Sequence, residues 1–585
     1  MSRRLIGLFL VVATAGALAA VARNVPAEAS RHPGVSALPV TPAAEVPVCP
    51  GPETLQVPQG AAPVAVPGPI TIVGLSALPS ALAVASAADG PSADRGRIPA
   101  APEAGLGPIA GPIVGSIAAG PSAGPPTPGN TPGGSAAATA SGPAARVLRA
   151  APDQAGAWRL NVRHPGEIPA VAAAQWTFAG SGDLRGLVTV ACAPASQDSW
   201  LVGGGTQPGH RLRLLLANPA VSPAVVDVTV HGPQGVVQAP AGSGVSIAPG
   251  AQKALYIDAL APGLVAVAVH VKARSGRVAA TMHDSVLRGL VPGGADDVSA
   301  AAPPARRQVI PGVAIAAPGP VPGGPAGQLP VSASAPGAVA ARVLNPGGTP
   351  AVVRMHLIGP EGEVNVPGGG VATVPPRGVV DLPLSGVPDG SYAAVVDADT
   401  PVVAAAVVGR SRVGAEVAGT PAAARGGVPP AELAGSAGGQ ALQATTAIAL
   451  PSASAQLVPT VPGRPAAPAT AGLTIRLALA AADGPGRVVL AEVAADGSVA
   501  DPREVELAAG RSVDVDVAAG SAGLLLRADP GGGPVTAALV ITAADAAGGL
   551  ISVQAVRPGP QNSGNAPAVV QDPQAGLIPV RSSSR

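Results

Sequence analysis

A gap-free internal repeat constrains this chain more than any other feature. One stretch carries Asn218-Pro219, Pro223, Val225-Val226, Gly232-Pro233 and Gly235. A second carries Asn345-Pro346, Pro350, Val352-Val353, Gly359-Pro360 and Gly362, at a constant offset of 127 (345 − 218). The same offset relates Pro249 to Pro376 and Gly263 to Gly390. Gly, Pro and Asn positions fix backbone geometry, so a shared spacing in them predicts a shared fold. Asn-Pro starts a turn. Val226-Asp-Val228-Thr-Val230 alternates like a half-buried strand. Gly-Pro-x-Gly reads as a tight hairpin turn. Gly232 and Gly359 are therefore expected in the same turn. Val228 and Met355 are expected to point into a core, because a one-residue slip would expose a whole apolar face.

A weaker third copy begins at Leu473-Thr-Ile475-Arg-Leu477, turns at Asp496-Gly497 and continues through Val513-Asp-Val515-Asp-Val517. Short alternating strands, frequent turn signals and no amphipathic helix predict an all-β chain of tandem antiparallel β-sandwich (Ig-like) domains. The expected boundaries are 45–196 for an N-terminal β domain of different character, then 197–304, 305–439 and 440–557 for the repeats. Residues 89–145, dominated by Ala, Gly, Pro and Ser, read as a disordered insertion, and 558–585 as a disordered tail.

Composition agrees with several folded domains. Single cores stop growing at roughly 250–300 residues, and the chain has 585. Hydrophobic residues make up 47% and charged residues 12%, the reverse of a disordered chain. A net charge of +1 gives no steering toward nucleic acid or an anionic membrane surface. Only Trp158, Trp176, Phe178, Trp200, Tyr256 and Tyr392 supply aromatic rings beyond Phe9. Cores must be built from Val, Leu, Ile and Ala, and an extended aromatic platform for glycans is not expected.

Arg3-Arg4 precedes an uncharged apolar run from Leu5 to Ala22. That pattern predicts an export signal within residues 1–30, either cleaved after Ala20-Val21-Ala22 or kept as an N-terminal membrane anchor helix. An even pair of cysteines in an exported chain predicts a disulfide between Cys49 and Cys192. It would close a loop of 143 residues (192 − 49), worth roughly 4–5 kcal/mol by loop entropy.

No motif predicts catalysis, a cofactor or a metal. Gly120-Pro-Ser122-Ala-Gly124 matches a nucleophile elbow as a string but has Pro125-Pro126 where a helix must follow. Gly203 to Gly209 is glycine-rich without dinucleotide-loop spacing, and reads as a turn. His283-Asp284-Ser285 puts His, acid and Ser together, yet neighbouring strand residues face apart. His231 and His356 occupy nearby places in the repeat and read as surface strand positions. Asp296-Asp297 reads as a pair of loop acids, and Asp514/Asp516 as an exposed strand face. Neither lies in a calcium-loop pattern.

Cys49-Pro50-Gly51-Pro52, Cys192, Trp200-Leu-Val-Gly203-Gly204 and Leu214-Leu-Leu-Ala-Asn218-Pro219 together resemble an actinobacterial exported family, the domain-of-unknown-function family numbered 5719. The resemblance implies a secreted or membrane-anchored envelope protein without known activity, and it supplies no catalytic residues. The resulting expectation is a non-enzymatic envelope scaffold or interaction module. Its partner would be another envelope protein or a cell-wall component, and the membrane would be met only through the N-terminal segment. The alternative is a cell-wall hydrolase or glycan-binding protein.

Overall fold

The structure is a computed structural model that describes residues 47–55, 64–66, 70–75, 103–108, 145–150, 156–163, 171–179, 184–289, 291–316, 339–411, 431–442, 445–451, 471–545, 548–558, 569–572 and 576–579. Its strands fall into four consecutive modules. Module 1 holds β1 (Pro47–Cys49), β2 (Glu53–Leu55), β3 (Val64–Val66), β4 (Ile70–Leu75), β5 (Glu103–Pro108), β6 (Ala145–Ala150), β7 (Trp158–Arg163), β8 (Val171–Ala179), β9 (Gly186–Ala191) and β10 (Ala193–Pro194). Module 2 holds β11 (Asp198–Val202), β12 (His210–Ala217), β13 (Ala224–Gly232), β14 (Gly235–Val237), β15 (Val245–Ile247), β16 (Gln252–Tyr256), β17 (Ala268–Ser275), β18 (Ala279–Arg288) and β19 (Val291–Val298). Module 3 holds β20 (Ala305–Ile315), β21 (Val339–Leu344), β22 (Ala351–Gly359), β23 (Gly362–Val364), β24 (Val371–Val374), β25 (Val379–Pro383), β26 (Gly390–Ser411) and β27 (Ala431–Ala437). Module 4 holds β28 (Thr445–Ala449), β29 (Ala471–Ala481), β30 (Gly486–Ala494), β31 (Arg503–Leu507), β32 (Arg511–Asp516), β33 (Ser521–Ala528), β34 (Thr536–Asp545) and β35 (Gly548–Ala555).

The repeat is exact in register. Gly232 pairs with Gly235 at the β13–β14 turn, and Gly359 with Gly362 at the β22–β23 turn, 127 residues on. Val228 and Met355 both lie in apolar cores. Asn218 and Asn345 are fully buried and make the same bonds. Asn218 Nδ2 donates to the carbonyls of Ser222, Ile247 and Ala248, and its Oδ1 accepts from the Ala220 amide. Asn345 does the same with Thr349, Val374, Pro375 and Gly347. Each asparagine thus ties its own turn to a distant loop, which is why the residue recurs.

Two antiparallel sheets make up each module. In module 2 the first runs β11-β17-β13 with β14 and β15 on β13, and the second runs β16-β12-β18-β19. Module 4 has the same order, β28-β33-β30-β31 and β32-β29-β34-β35. In module 3 the long strand β26 serves both sheets, pairing β20 and β22 early and β21 and β27 late. Module 1, expected to differ, follows the plan as well. Its sheets run β10-β1-β7-β5 and β6-β4-β8-β9, with a separate β2–β3 ribbon. The likeness is hidden in sequence because residues 89–145 interrupt it.

That interrupting stretch corrects an expectation. It contains β5, which pairs with β7 from Glu103↔Arg163 to Pro108↔Trp158, so the insertion is not disordered throughout. The tail is corrected likewise. β36 (Val569–Asp572) and β37 (Gly576–Pro579) form a hairpin. Backbone pairing needs only extended chain, which Ala- and Gly-rich composition does not forbid. The leader and the expected anchor helix lie outside the described residues. Among the described residues no helix is long and apolar enough to cross a membrane.

Residues 45–561 form one compact body, and its modules pack in sequence. The outer face of each first sheet lies on the outer face of the next module's second sheet. Val48 and Ala157 meet Ala217 and Ala279. Val202 and Ala268 meet Leu344, Val403 and Ala405. Ile358 and Val395 meet Ala480. Val489, Ala491 and Leu525 of module 4 meet Val73, Ala145 and Ala174 of module 1. The last contact closes a ring, the outcome of a head-to-tail interface whose rotation closes. At its centre β9 lies beside β19, β19 beside β27, β27 beside β35, and β35 beside β9. Thr189 and Ser552 join hydroxyls across the closing junction at 2.7 Å.

β13 keeps the half-buried alternation expected for Val226–Val230, but other strands are buried on both faces. All six residues of β21 are buried, as are Val402 to Ala406 of β26. The abundance of Ala suits this arrangement, since small side chains let two sheets approach closely.

Cys49 and Cys192 form the expected disulfide in a small buried cluster with Ile70 and Ile72. Gly51 beside it is held by Gln175, which accepts from its amide at 2.8 Å and donates to its carbonyl at 2.6 Å. Gly51 has φ +88°, and a Cβ there would collide with the Gly156 carbonyl. The glycine of the Cys-Pro-Gly-Pro string is thus a geometric requirement.

Two outcomes follow. Asn345→Ala should lower stability by about 1–3 kcal/mol, because three buried carbonyls lose their donor. Urea unfolding measures this, and Asn218→Ala should behave alike. Reducing the disulfide should remove up to about 5 kcal/mol. Alkylation of the native protein should find neither thiol until reductant is added.

Candidate functional site

The junction of modules 2 and 3 carries the densest buried polar chemistry. Arg342 lies in an otherwise apolar strand, β21, directly opposite Asp381 of β25. Its side chain is 1% exposed. Nε donates to Asp381 Oδ1 at 2.7 Å and Nη2 to Oδ2 at 3.0 Å, a bidentate pair. The remaining donors cross the junction: Nη1 to the Gly204 carbonyl, and Nη2 to the Val265 carbonyl at 3.2 Å. A buried guanidinium is tolerable here because its donors face a carboxylate and two carbonyls.

The glycine run beside it, expected as a turn, serves close packing. Gly204 has φ +73°, and a Cβ on it would stand 2.7 Å from the Leu212 side chain. A Cβ on Gly203 would stand 2.8 Å from Val298. Only glycine lets this backbone lie flat and offer its carbonyl to Arg342.

Trp200, on β11 just before the glycine run, faces His270 across β11–β17. The rings stack at 3.6 Å with 3° between planes, and His270 Nε2 lies 3.0 Å from Asp198 Oδ1. His231 stands 6.2 Å from Trp200, and its Nδ1 donates across the junction to the Arg377 carbonyl at 2.8 Å. Arg377 has φ +55°, uncommon for a side-chain-bearing residue. His231 was expected at the surface. It is 4% exposed instead, because module 3 covers it. Burial pushes the pKa of His231 below its ordinary value, and the Arg377 hydrogen bond opposes this only in part. Burial also lowers His270, against the pull of Asp198.

The other singled-out residues lie elsewhere. His283 and Asp284 point apart on β18, as strand geometry demands. His283 Nδ1 meets Asp297 at 2.8 Å, whereas Asp284 meets His210 Nδ1 at 3.2 Å. Asp296 and Asp297, expected in a loop, are buried on strand β19. Asp514 accepts from Ser391 Oγ at 3.0 Å across the module 3–4 junction, so it is not on an open strand face. Burial raises its pKa above the usual carboxylate value. A cavity of roughly 250 Å³ opens beside it, lined by Ala314, Gly390 and Ser391 of module 3 and by Arg476, Asp514 and Thr542 of module 4. Among the described residues no three His, Cys, Asp or Glu side chains group as metal ligands. Gly120 to Gly124 lie outside the described residues.

Sequence reasoning missed Arg342, His210 and the Trp200–His270 stack. The available signal was Arg342 itself, a lone charge inside Val339-Ala-Ala-Arg342-Val-Leu.

Residues 136–475 match a family of unknown function, DUF5719. The chain belongs to this family. The matched span holds modules 2 and 3 whole, with Trp200, Gly204, Arg342 and Asp381. It includes Cys192 and leaves Cys49 ahead of it. No curated protein and no solved structure matches the chain.

Removing Arg342 should expose how much the junction depends on it. Arg342→Leu should destabilise the fold by about 3–5 kcal/mol, since Asp381 is left without its cation. Arg342→Lys should recover only part of this, because an ammonium cannot make the bidentate fork.

The depressed His231 pKa gives a pH dependence. The fold favours neutral His231, so its contribution is complete above pH 6.5 and declines as pH falls below that value, where the unfolded chain takes up the proton first. The melting temperature should drop between pH 7.5 and pH 5. His231→Asn should drop less over that range, the comparison being made by scanning calorimetry.

Proposed function

We propose that this chain is a non-enzymatic, exported cell-envelope protein whose ring of modules is a rigid scaffold for an envelope partner. Each module would be an Ig-like sandwich, with limits near 45–196, 197–304, 305–439 and 440–557. The observation that carries the reading is the closed ring. Its junctions cover much of the outer faces of the sheets, leaving loops, strand edges and uncovered stretches such as the Val352 side of β22 as the surface a partner can meet. Two further facts support it. A disulfide across a 143-residue separation suits an oxidising compartment outside the cytoplasm. The His210–Asp284 and His283–Asp297 pairs are nearly closed to solvent, with side chains 2–8% exposed, which argues against a hydrolytic site at either.

The exposed apolar side chains give the places to probe. Val221 is 83% exposed and Val352 50%. A photo-cross-linking residue at either position, in cells that make the protein, should yield a discrete adduct with one envelope component. The same residue at buried Val228 should yield none. Residues 1–22 fused to a reporter should carry it across the membrane. Retention of that reporter in the cytoplasm would remove export from the proposal. Hydrolysis of cell-wall polymer by the purified protein, lost in His283→Ala, would overturn the scaffold in favour of an enzyme.

A further inference from the structure

The junction of modules 3 and 4 repeats the junction of modules 2 and 3 with one side chain missing. The β21–β26 and β29–β34 ladders of the two second sheets end alike. Leu344 faces Val403 at the end of the β21–β26 ladder, and Ala480 faces Thr536 at the end of β29–β34. Two residues back from each stand Arg342 and Ala478. Arg342 faces Asp381, and Ala478 faces Asp514. Asp514 is therefore the counterpart of Asp381, with a methyl group where the guanidinium stem should be.

The opposite wall corresponds as well. Val269 of β17 faces Val230, and Ala394 of β26 faces Leu357, partners related by the repeat offset of 127 (357 − 230). Four residues back along each chain lie Val265 and Gly390. The ladder pairs Ala314 with Ser391, beside Gly390, which places Ala314 where Gly204 stands in the other junction. Gly204 and Val265 are the residues whose carbonyls receive Arg342. Their counterparts, Ala314 and Gly390, line the cavity of roughly 250 Å³ together with Asp514.

We propose that this cavity binds a guanidinium group brought by a ligand, either the arginine side chain of a peptide or a small guanidino compound. The occupant of the sister junction shows the chemistry: a planar fork on a carboxylate, with further donors to backbone carbonyls. Asp514 is held by two partners. Ser391 Oγ donates one hydrogen bond, and Arg476 forms a looser ion pair with it at 3.6 Å, from a side chain 43% exposed. Arg476 can turn to solvent as a ligand enters. Burial raises the pKa of Asp514, and Ser391 and Arg476 oppose that only in part.

The test is titration of the full exported region with N-acetyl-arginine amide, followed by calorimetry. The lysine and citrulline analogues serve as controls, one lacking the planar fork and the other the charge. The arginine probe should bind at least about tenfold more tightly than either. Asp514→Asn should weaken it by about tenfold or more. Ala478→Arg should abolish binding by supplying the guanidinium from within, and should raise the melting temperature. A longer arginine peptide that binds more tightly than the amide identifies a protein partner; equal affinity identifies a free guanidino compound. The proposal is overturned if the arginine amide shows no binding at millimolar concentration, or if Asp514→Asn binds it as the wild type does. Neither result bears on the scaffold reading, which rests on the ring.

Discussion

Sheet-on-sheet contact between successive modules is the constraint on which the rest depends. Each module has a core of its own, but its outer faces are apolar too, and they find cover only on the neighbouring modules. Burial of apolar area is worth about 25 cal/mol per Å². A sheet with two apolar faces is therefore unstable alone and satisfied in a ring. The closing contact of Val489, Ala491 and Leu525 with Val73, Ala145 and Ala174 leaves no terminal outer face open at either end of the chain of modules. The disulfide stiffens module 1, which takes part in both the first junction and the closing one.

Within that apolar ring the polar groups mark individual junctions. Arg342 cannot be exchanged for an aliphatic residue without orphaning Asp381, and its remaining donors tie module 3 to module 2. Gly204 is required for the same contact, because any side chain would push the carbonyl off. The Trp200–His270 stack and the His231–Arg377 bond lie on the same seam. The module 3–4 seam keeps the carboxylate, at Asp514, but pairs it with the half-exposed Arg476 instead of a buried guanidinium, and Ala478 stands where Arg342 does in the other seam.

Much of the architecture was legible in the chain. The Asn218/Asn345 and Gly232/Gly359 spacings gave the repeat and its turns, since those residue types encode backbone geometry that few others can adopt. The even cysteine count, read with an expected export signal, gave Cys49–Cys192. The fourth copy of the plan was not legible, because module 1 shares strand order with the others but not their Asn-Pro and Gly-Pro signals. β5 was hidden for the same reason. Its sequence, Glu103-Ala-Gly-Leu-Gly-Pro108, has no alternation, and pairing with β7 alone makes it a strand.

The sequence by itself determined the all-β character, the repeat length, the turn positions and the disulfide, because local backbone preferences and cysteine chemistry act over short distances or need only two residues. Tertiary structure decided the ring, the burial of both sheet faces and the sites. His231 looked like a surface residue until module 3 covered it. Asp297 looked like a loop acid until strand pairing set it opposite His283. Arg342, Gly204 and Val265 are far apart in the chain and become one site only when two sheets meet. A contact of that kind is set by how faces stack, and stacking has no period or spacing that a single strand can carry.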